Sequence, residues 1–153
     1  MDTTGIEQDE YKALSVLTIS MITGIVLFSI ICLLVHYTRG SFVVDKGLAK
    51  TISVIDLLVV AVLIMAVRII YRKRIDGLKE MDLVPGEKWE SFRAVIITHL
   101  AICEIPALLS VICYLLFGEI LFFLPVGAAL VEMILKYPSR ERVDGVINSG
   151  IFK

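Results

Sequence analysis

The chain has 153 residues, 58% of them hydrophobic, and its 15 Lys and Arg nearly balance 16 Asp and Glu. With a mean hydropathy of +0.87, it carries more apolar surface than a water-soluble domain of this length can bury, which excludes the soluble globular class. Crossing about 30 Å of hydrocarbon takes roughly 20 mostly apolar residues in a helix, and the sequence supplies four such runs, at 13–35, 51–71, 93–117 and 120–137. None alternates with a period of two, which argues against a β-barrel. The expectation is an all-α membrane protein: one membrane domain over residues 1–153, its four transmembrane helices forming a bundle of two helical hairpins.

The first stretch, "MDTTGIEQDEYK", is acidic and lacks the positive n-region of a signal peptide. The apolar run after it is too long for an h-region, and "HYTRGSF" offers no small-x-small cleavage site, so the first span is expected to be retained. Within it Ser20 and Gly24 form a small-xxx-small notch suited to close helix approach. His36 marks its far end, followed by the connection "HYTRGSFVVDKGLAK". The second span holds Asp56 about five residues in, within reach of the interface and of Tyr114 on the third span. It carries Arg68 towards its other end and leaves through "RIIYRKR".

Residues 72–92 read as the one sizeable loop, punctuated by a turn at Pro85 and Gly86. Trp89 and Phe92, three apart, fit an interfacial aromatic anchor. Gly118 and Glu119 leave so short a link that the third and fourth spans must form a tight antiparallel pair. Gly127, Ala128 and Ala129 give the fourth span a second small-residue surface. In the tail, 138–153, Ser139 is a plausible N-cap for a short helix on the membrane surface, with Val143, Val146 and Ile147 on one side. Cys32, Cys103 and Cys113 all lie inside spans, odd in number and without a CxxC, and read as buried thiols rather than a disulfide framework or a zinc site.

Basic residues near span ends are retained on the cytoplasmic side. With four spans, one side collects Lys12, the run from Arg68 to Arg93 and the group Lys136, Arg140, Arg142 and Lys153, while the other has only Arg39, Lys46 and Lys50. Both termini are therefore expected in the cytoplasm, in a multi-pass protein of the cytoplasmic (inner) membrane. The "RKR" run suits orientation and anionic lipid contact better than nucleic acid.

At 1.5 Å per residue, Glu104 lies on the order of 16 Å from Arg93, close to the bilayer midplane. An ionised carboxylate there costs several kcal/mol. Glu104 is therefore either a protonatable switch or ion ligand, or a neutral acid hydrogen-bonded to a neighbouring helix. Pro106 frees the carbonyl of Ile102 and can kink the span. His99, five residues before Glu104, points about 140° away from it, so the two cannot chelate one ion directly, though His99 could relay a proton. It shares a stripe with Cys103, Pro106 and Ser110. Arg68 and Glu132 fall at similar depths on the second and fourth spans and could form an interhelical ion pair, in competition with a local Glu132–Lys136 pair.

The stretch "CEIPALLSVICYLLFGEILFF" resembles, over about ten residues, the carboxylate-bearing helix of rotary ATP synthase and V-type ATPase proteolipid subunits. That resemblance would make Glu104 the ion-carrying residue, although the glycine-rich partner helix of those subunits has no counterpart here. Over the last third, the chain is similar to small uncharacterised bacterial four-helix membrane proteins. The residues that carry this likeness are Glu104, Pro106, Ala107, Leu108, Gly118, Pro138, Ser139, Glu141 and Arg142, and it implies no activity.

The sequence holds no G-x-S-x-G, HExxH, Walker loop or GxGxxG, and its polar groups are too scattered in depth to assemble a nucleophile, a base and an oxyanion stabiliser. Neither an enzyme nor a cofactor or metal site is expected. Two functions remain: a structural or accessory subunit or homo-oligomeric bundle with a protonatable midplane carboxylate, or a small proton- or cation-coupled transporter or channel using Glu104. The expected partners are the lipid bilayer and either further copies or another membrane protein.

Overall fold

A computed structural model of the chain describes residues 3–40, 45–81 and 84–147. Its elements in order are α1 (Thr3–Arg39), α2 (Lys46–Glu80), α3 (Pro85–Phe117), a 3₁₀ turn (Ile120–Phe122) leading into α4 (Phe123–Leu135), and α5 (Arg140–Ile147). There is no strand among the described residues. Helices α1, α2 and α3 are each long and apolar enough to cross a membrane, whereas the apolar segment Ile120–Leu135 is shorter.

The helix ends follow local chemistry. Asp45 caps α2, its Oδ1 accepting from the amides of Gly47 at 2.9 Å and Leu48 at 3.1 Å, which satisfies two of the otherwise orphaned N–H groups of a first turn. The expected loop over 72–92 is mostly helix. Nothing in "RKRIDGLKE" breaks α2, and Ile75 and Leu78 are buried. Pro85, expected in a turn, instead occupies the first turn of α3, where its missing N–H costs nothing. The link between α3 and α4 is as short as expected. Gly118 adopts φ 70°, with its N–H donating to Tyr114 O, a left-handed stop that glycine takes without steric penalty.

The packing departs from two independent hairpins. Helix α3 lies against α1, α2 and α4 at once, while α1 and α2, consecutive in the chain, share no substantial contact among the described residues. The short Gly118 link forces α3 and α4 together, whereas α1 docks on α3 by side-chain packing. Its buried stripe, Leu14, Thr18, Ile25, Ser29 and Cys32, recurs every three to four residues or multiples of that, the spacing of a helix-packing seam. Thr18 and Ser29 donate back to the carbonyls of Leu14 and Ile25, so their hydroxyls can sit against apolar neighbours. The Ser20–Gly24 notch faces outward instead, as do Gly127 and Ala128, whereas Ala129 has no exposed surface.

The core runs along α3 through Phe92, Ile96, Leu100, Cys103, Ala107 and Val111. Trp89 and Phe92, expected at the lipid interface, are buried, with ring centroids 6.1 Å apart. Val143 and Val146 of α5 join the same core, and this helix packs on α2 and α3. Both changes have one cause: α2 and α3 continue beyond their apolar runs and give these side chains protein to pack on. Residues 148–153, the rest of the expected tail, lie outside the described residues, and so does the side chain of Ile147.

Outward faces of α1 and α2 expose large apolar side chains such as Ile19, Leu34, Leu58, Val62 and Met65. Water would penalise that surface, but hydrocarbon does not. Ala107 has no exposed surface, so Ala107→Leu is expected to cost about 1–3 kcal/mol through overpacking. Ile105→Val on the outward face should stay within about 0.5 kcal/mol. Unfolding midpoints in detergent check both.

Candidate functional site

Among the described residues, polar side chains meet between helices around Glu132 and around Asp56. Nearer the α5 end, Arg68 of α2 reaches Glu132 of α4. Arg68 Nε donates to Glu132 Oε2 at 2.6 Å, and Nη2 lies 2.5 Å from the same oxygen. The Glu132 side chain has no exposed surface, while that of Arg68 is 53% exposed. The acid is thus fully withdrawn from solvent, and its counterion keeps one side open, an arrangement suited to the planar, many-donor guanidinium.

The other carboxylate oxygen, Glu132 Oε1, has no hydrogen-bond partner among the described residues. His99 of α3 stands opposite, its Nε2 at 3.9 Å, beyond hydrogen-bonding range but close enough for electrostatic contact. Cys103 Sγ, one turn further along α3, also lies 3.9 Å from this nitrogen. The His99 ring faces Tyr71 of α2 with centroids 5.0 Å apart, and Lys136 Nζ lies 4.9 Å from the Tyr71 ring centroid. Lys136 therefore meets an aromatic face, while Arg68 takes the Glu132 carboxylate. Arg68 and Tyr71 are three apart on α2 and flank the same interhelical space.

The second meeting point lies nearer the Gly118 end. Ser110 Oγ of α3 lies 2.7 Å from Asp56 Oδ2 of α2 and 2.9 Å from Pro106 O, so one hydroxyl proton serves two acceptors. Asp56 is therefore matched by Ser110, not by Tyr114. The Tyr114 ring turns towards α1 and α4, meeting His36 at 5.0 Å and Phe123 at 4.6 Å between centroids. A packed aromatic cluster gains more from burying that ring than from one added hydrogen bond. Pro106 itself is buried, and α3 stays helical on both sides of it.

Glu104 belongs to neither cluster. It is half-buried between Cys103, which is buried, and Ile105, which is 61% exposed. It makes no hydrogen bond or ion pair among the described residues. The structure thus separates the two members of the expected proton or ion site: His99 turns to α2 and α4, and Glu104 to the edge of the outward face. Among the described residues, no group of three or more His, Cys, Asp and Glu side chains could hold a metal ion. All three cysteines are free.

Tyr71 is the participant that the sequence alone did not assign, while Ser110 was expected without its Asp56 partner and Lys136 was expected on Glu132 rather than over Tyr71. The His99–Cys103–Pro106–Ser110 stripe held part of the signal, since it does face α2. The missing piece was the rotation of α2 and α4 about their own axes. Chemically, the larger cluster is a charge-neutralised joint among three helices, with an imidazole poised beside the open carboxylate oxygen.

Arg68→Ala strands a wholly buried carboxylate, so it should lower the unfolding midpoint more than Glu132→Gln does, because a half-exposed guanidinium can rehydrate. The double variant should recover most of the loss. Ser110→Ala should cost about 1 kcal/mol. A detergent unfolding series of these four variants checks the ordering.

No protein-family model, curated protein or solved structure matches this chain.

Proposed function

We propose that the chain is a non-enzymatic four-crossing membrane bundle, with both ends in the cytoplasm, serving as a structural or accessory component that associates with another copy or with another membrane protein. Glu104 carries this reading. The remaining interior acids, Asp56 and Glu132, are matched within the chain, while Glu104 sits unmatched at the rim of α3's outward face. A polar group at that depth gains from a donor on another helix, and the single chain supplies none among its described residues. The outward Ser20–Gly24 notch is open as well, since a Cβ added at Gly24 would meet nothing within 4 Å.

The fourth crossing uses Ile120–Leu135. It spans about 24 Å at 1.5 Å per residue, a shortfall that local thinning of the bilayer or association accommodates at modest cost. The excess of Lys and Arg at the α5 end supports a cytoplasmic location for that end.

Native mass spectrometry from gentle detergent tests the reading. The expected result is more than one copy, or a bound membrane partner, for the wild type and for Glu104→Gln, which retains a hydrogen-bonding amide. Glu104→Leu should shift the population towards the single chain. A monomeric wild type would refute association. If Glu104→Gln keeps its association but abolishes pH-linked flux in proteoliposomes, Glu104 is instead a coupling carboxylate of a small proton- or cation-coupled transporter.

A further inference from the structure

We propose that the groove between α2, α4 and α5 binds the phosphate of an anionic lipid headgroup. Along α2, Arg68, Arg72, Ile75 and Lys79 recur at four, three and four residues and so share one face. Helix α4 stops at Leu135, but α2 continues to Glu80, so this face runs on past the end of its neighbour. The space left open forms two adjoining clefts of about 410 and 300 Å³ that share Tyr71, Ile75 and Lys136.

Charge and shape point to one kind of occupant. Arg68, Arg72, Lys79 and Lys136 line the clefts against two acids, Asp76 and Glu132, and Glu132 is already neutralised by Arg68. Arg72 and Lys79 are exposed and make no ion pair among the described residues. The floor is apolar, with Ile75 at 8% and Val146 at 2% exposure, and Leu135 at the rim is 55% exposed. A free phosphate has no use for an apolar floor and rim, whereas a phospholipid places acyl chains there and its phosphate among the cations. From Arg68 to Lys79 the cationic face runs about 16 Å, longer than one phosphate and comparable to a glycerophospholipid headgroup region. The groove also lies where a short α4 brings headgroups to the protein, and basic pockets between helices at the cytoplasmic surface bind such headgroups.

The site does not involve Glu104, so it stands or falls separately from association. The test uses the full chain in mixed micelles containing equal amounts of dioleoylphosphatidylglycerol and dioleoylphosphatidylcholine, with retained lipid read by native mass spectrometry. The wild type is expected to retain phosphatidylglycerol preferentially. Arg72→Gln/Lys79→Gln, which leaves the Arg68–Glu132 pair intact, should bind it about twenty-fivefold more weakly, a factor of about five for each cation lost. Arg39→Gln/Lys46→Gln removes the same charge at the opposite end and should retain it as the wild type does, and so should Glu104→Leu. An unchanged unfolding midpoint in phosphatidylcholine alone certifies that the groove variant is folded. Should that variant unfold, Lys136→Gln is expected to show a fivefold loss by itself. Equal retention by wild type and groove variant, or no preference over phosphatidylcholine, overturns the proposal. Displacement of phosphatidylglycerol by millimolar inorganic phosphate would also overturn it, by assigning the groove to a soluble anion.

Discussion

A carboxylate with no solvent-exposed surface needs a matching donor, because withdrawing an ion from water costs several kcal/mol. Glu132 meets that requirement through Arg68, and much of the surrounding geometry depends on the match. It holds α2 beside α4, brings Tyr71 and Lys136 together at the α4 terminus, and sets His99 opposite the second carboxylate oxygen. An apolar contact of the same area would hold the helices without defining their register. Helices buried in lipid can slide or rotate against one another at little cost in apolar burial, since hydrocarbon and leucine are equivalent neighbours. A charged pair joining two helices removes that freedom.

Helix α3 supplies the complementary, non-directional part of the assembly. Its buried positions form one broad face, on which small or compact residues such as Ala107, Ser110 and Cys103 alternate with Phe92, Leu100 and Val111. This lets three neighbours approach a single axis. Among the described residues, α1 and α2 are then held by α3 more than by each other, which leaves their apolar outer faces exposed. Polar side chains in this arrangement are either self-satisfied on their own helix, as Thr18 and Ser29 are, or shared across an interface, as Asp56 and Ser110 are. Glu104 follows neither rule, and the proposed association rests on that exception.

The two ends of the bundle are chemically unlike. At the Gly118 end, the helices close on aromatic packing of Tyr114, His36 and Phe123. At the other, α2 and α3 outrun α4, and the short α5 fills part of the gap with Val143 and Val146 while leaving a cationic groove beside it. Unequal helix length thus separates an aromatic-packed end from one that presents charge. The lipid reading of the groove and the association reading of Glu104 concern different faces, so a bundle can sit in an anionic leaflet whether or not it meets a partner.

Composition and hydropathy were enough to determine that this chain is helical, with helices able to cross a membrane, because the length and polarity of a lipid-spanning segment are dictated by the solvent and need no tertiary information. The match of Arg68 with Glu132 was legible for a related reason: residue rise converts position into depth, and two opposite charges at one depth are available to each other. Rotation and neighbour choice were not legible. Which way Asp56 turns, whether Ser20 and Gly24 face protein or lipid, and that α1 docks on α3 instead of α2, all depend on side-chain packing among helices with similar apolar faces. Likewise, the continuation of α2 and α3 past their apolar runs, with Trp89 turned inward and α5 drawn into the core, required the partners to be in place. Local sequence sets how far a helix can run and how deep a residue lies. Only the assembled bundle decides which side of that helix is inside, since that choice depends on how several helices fit together.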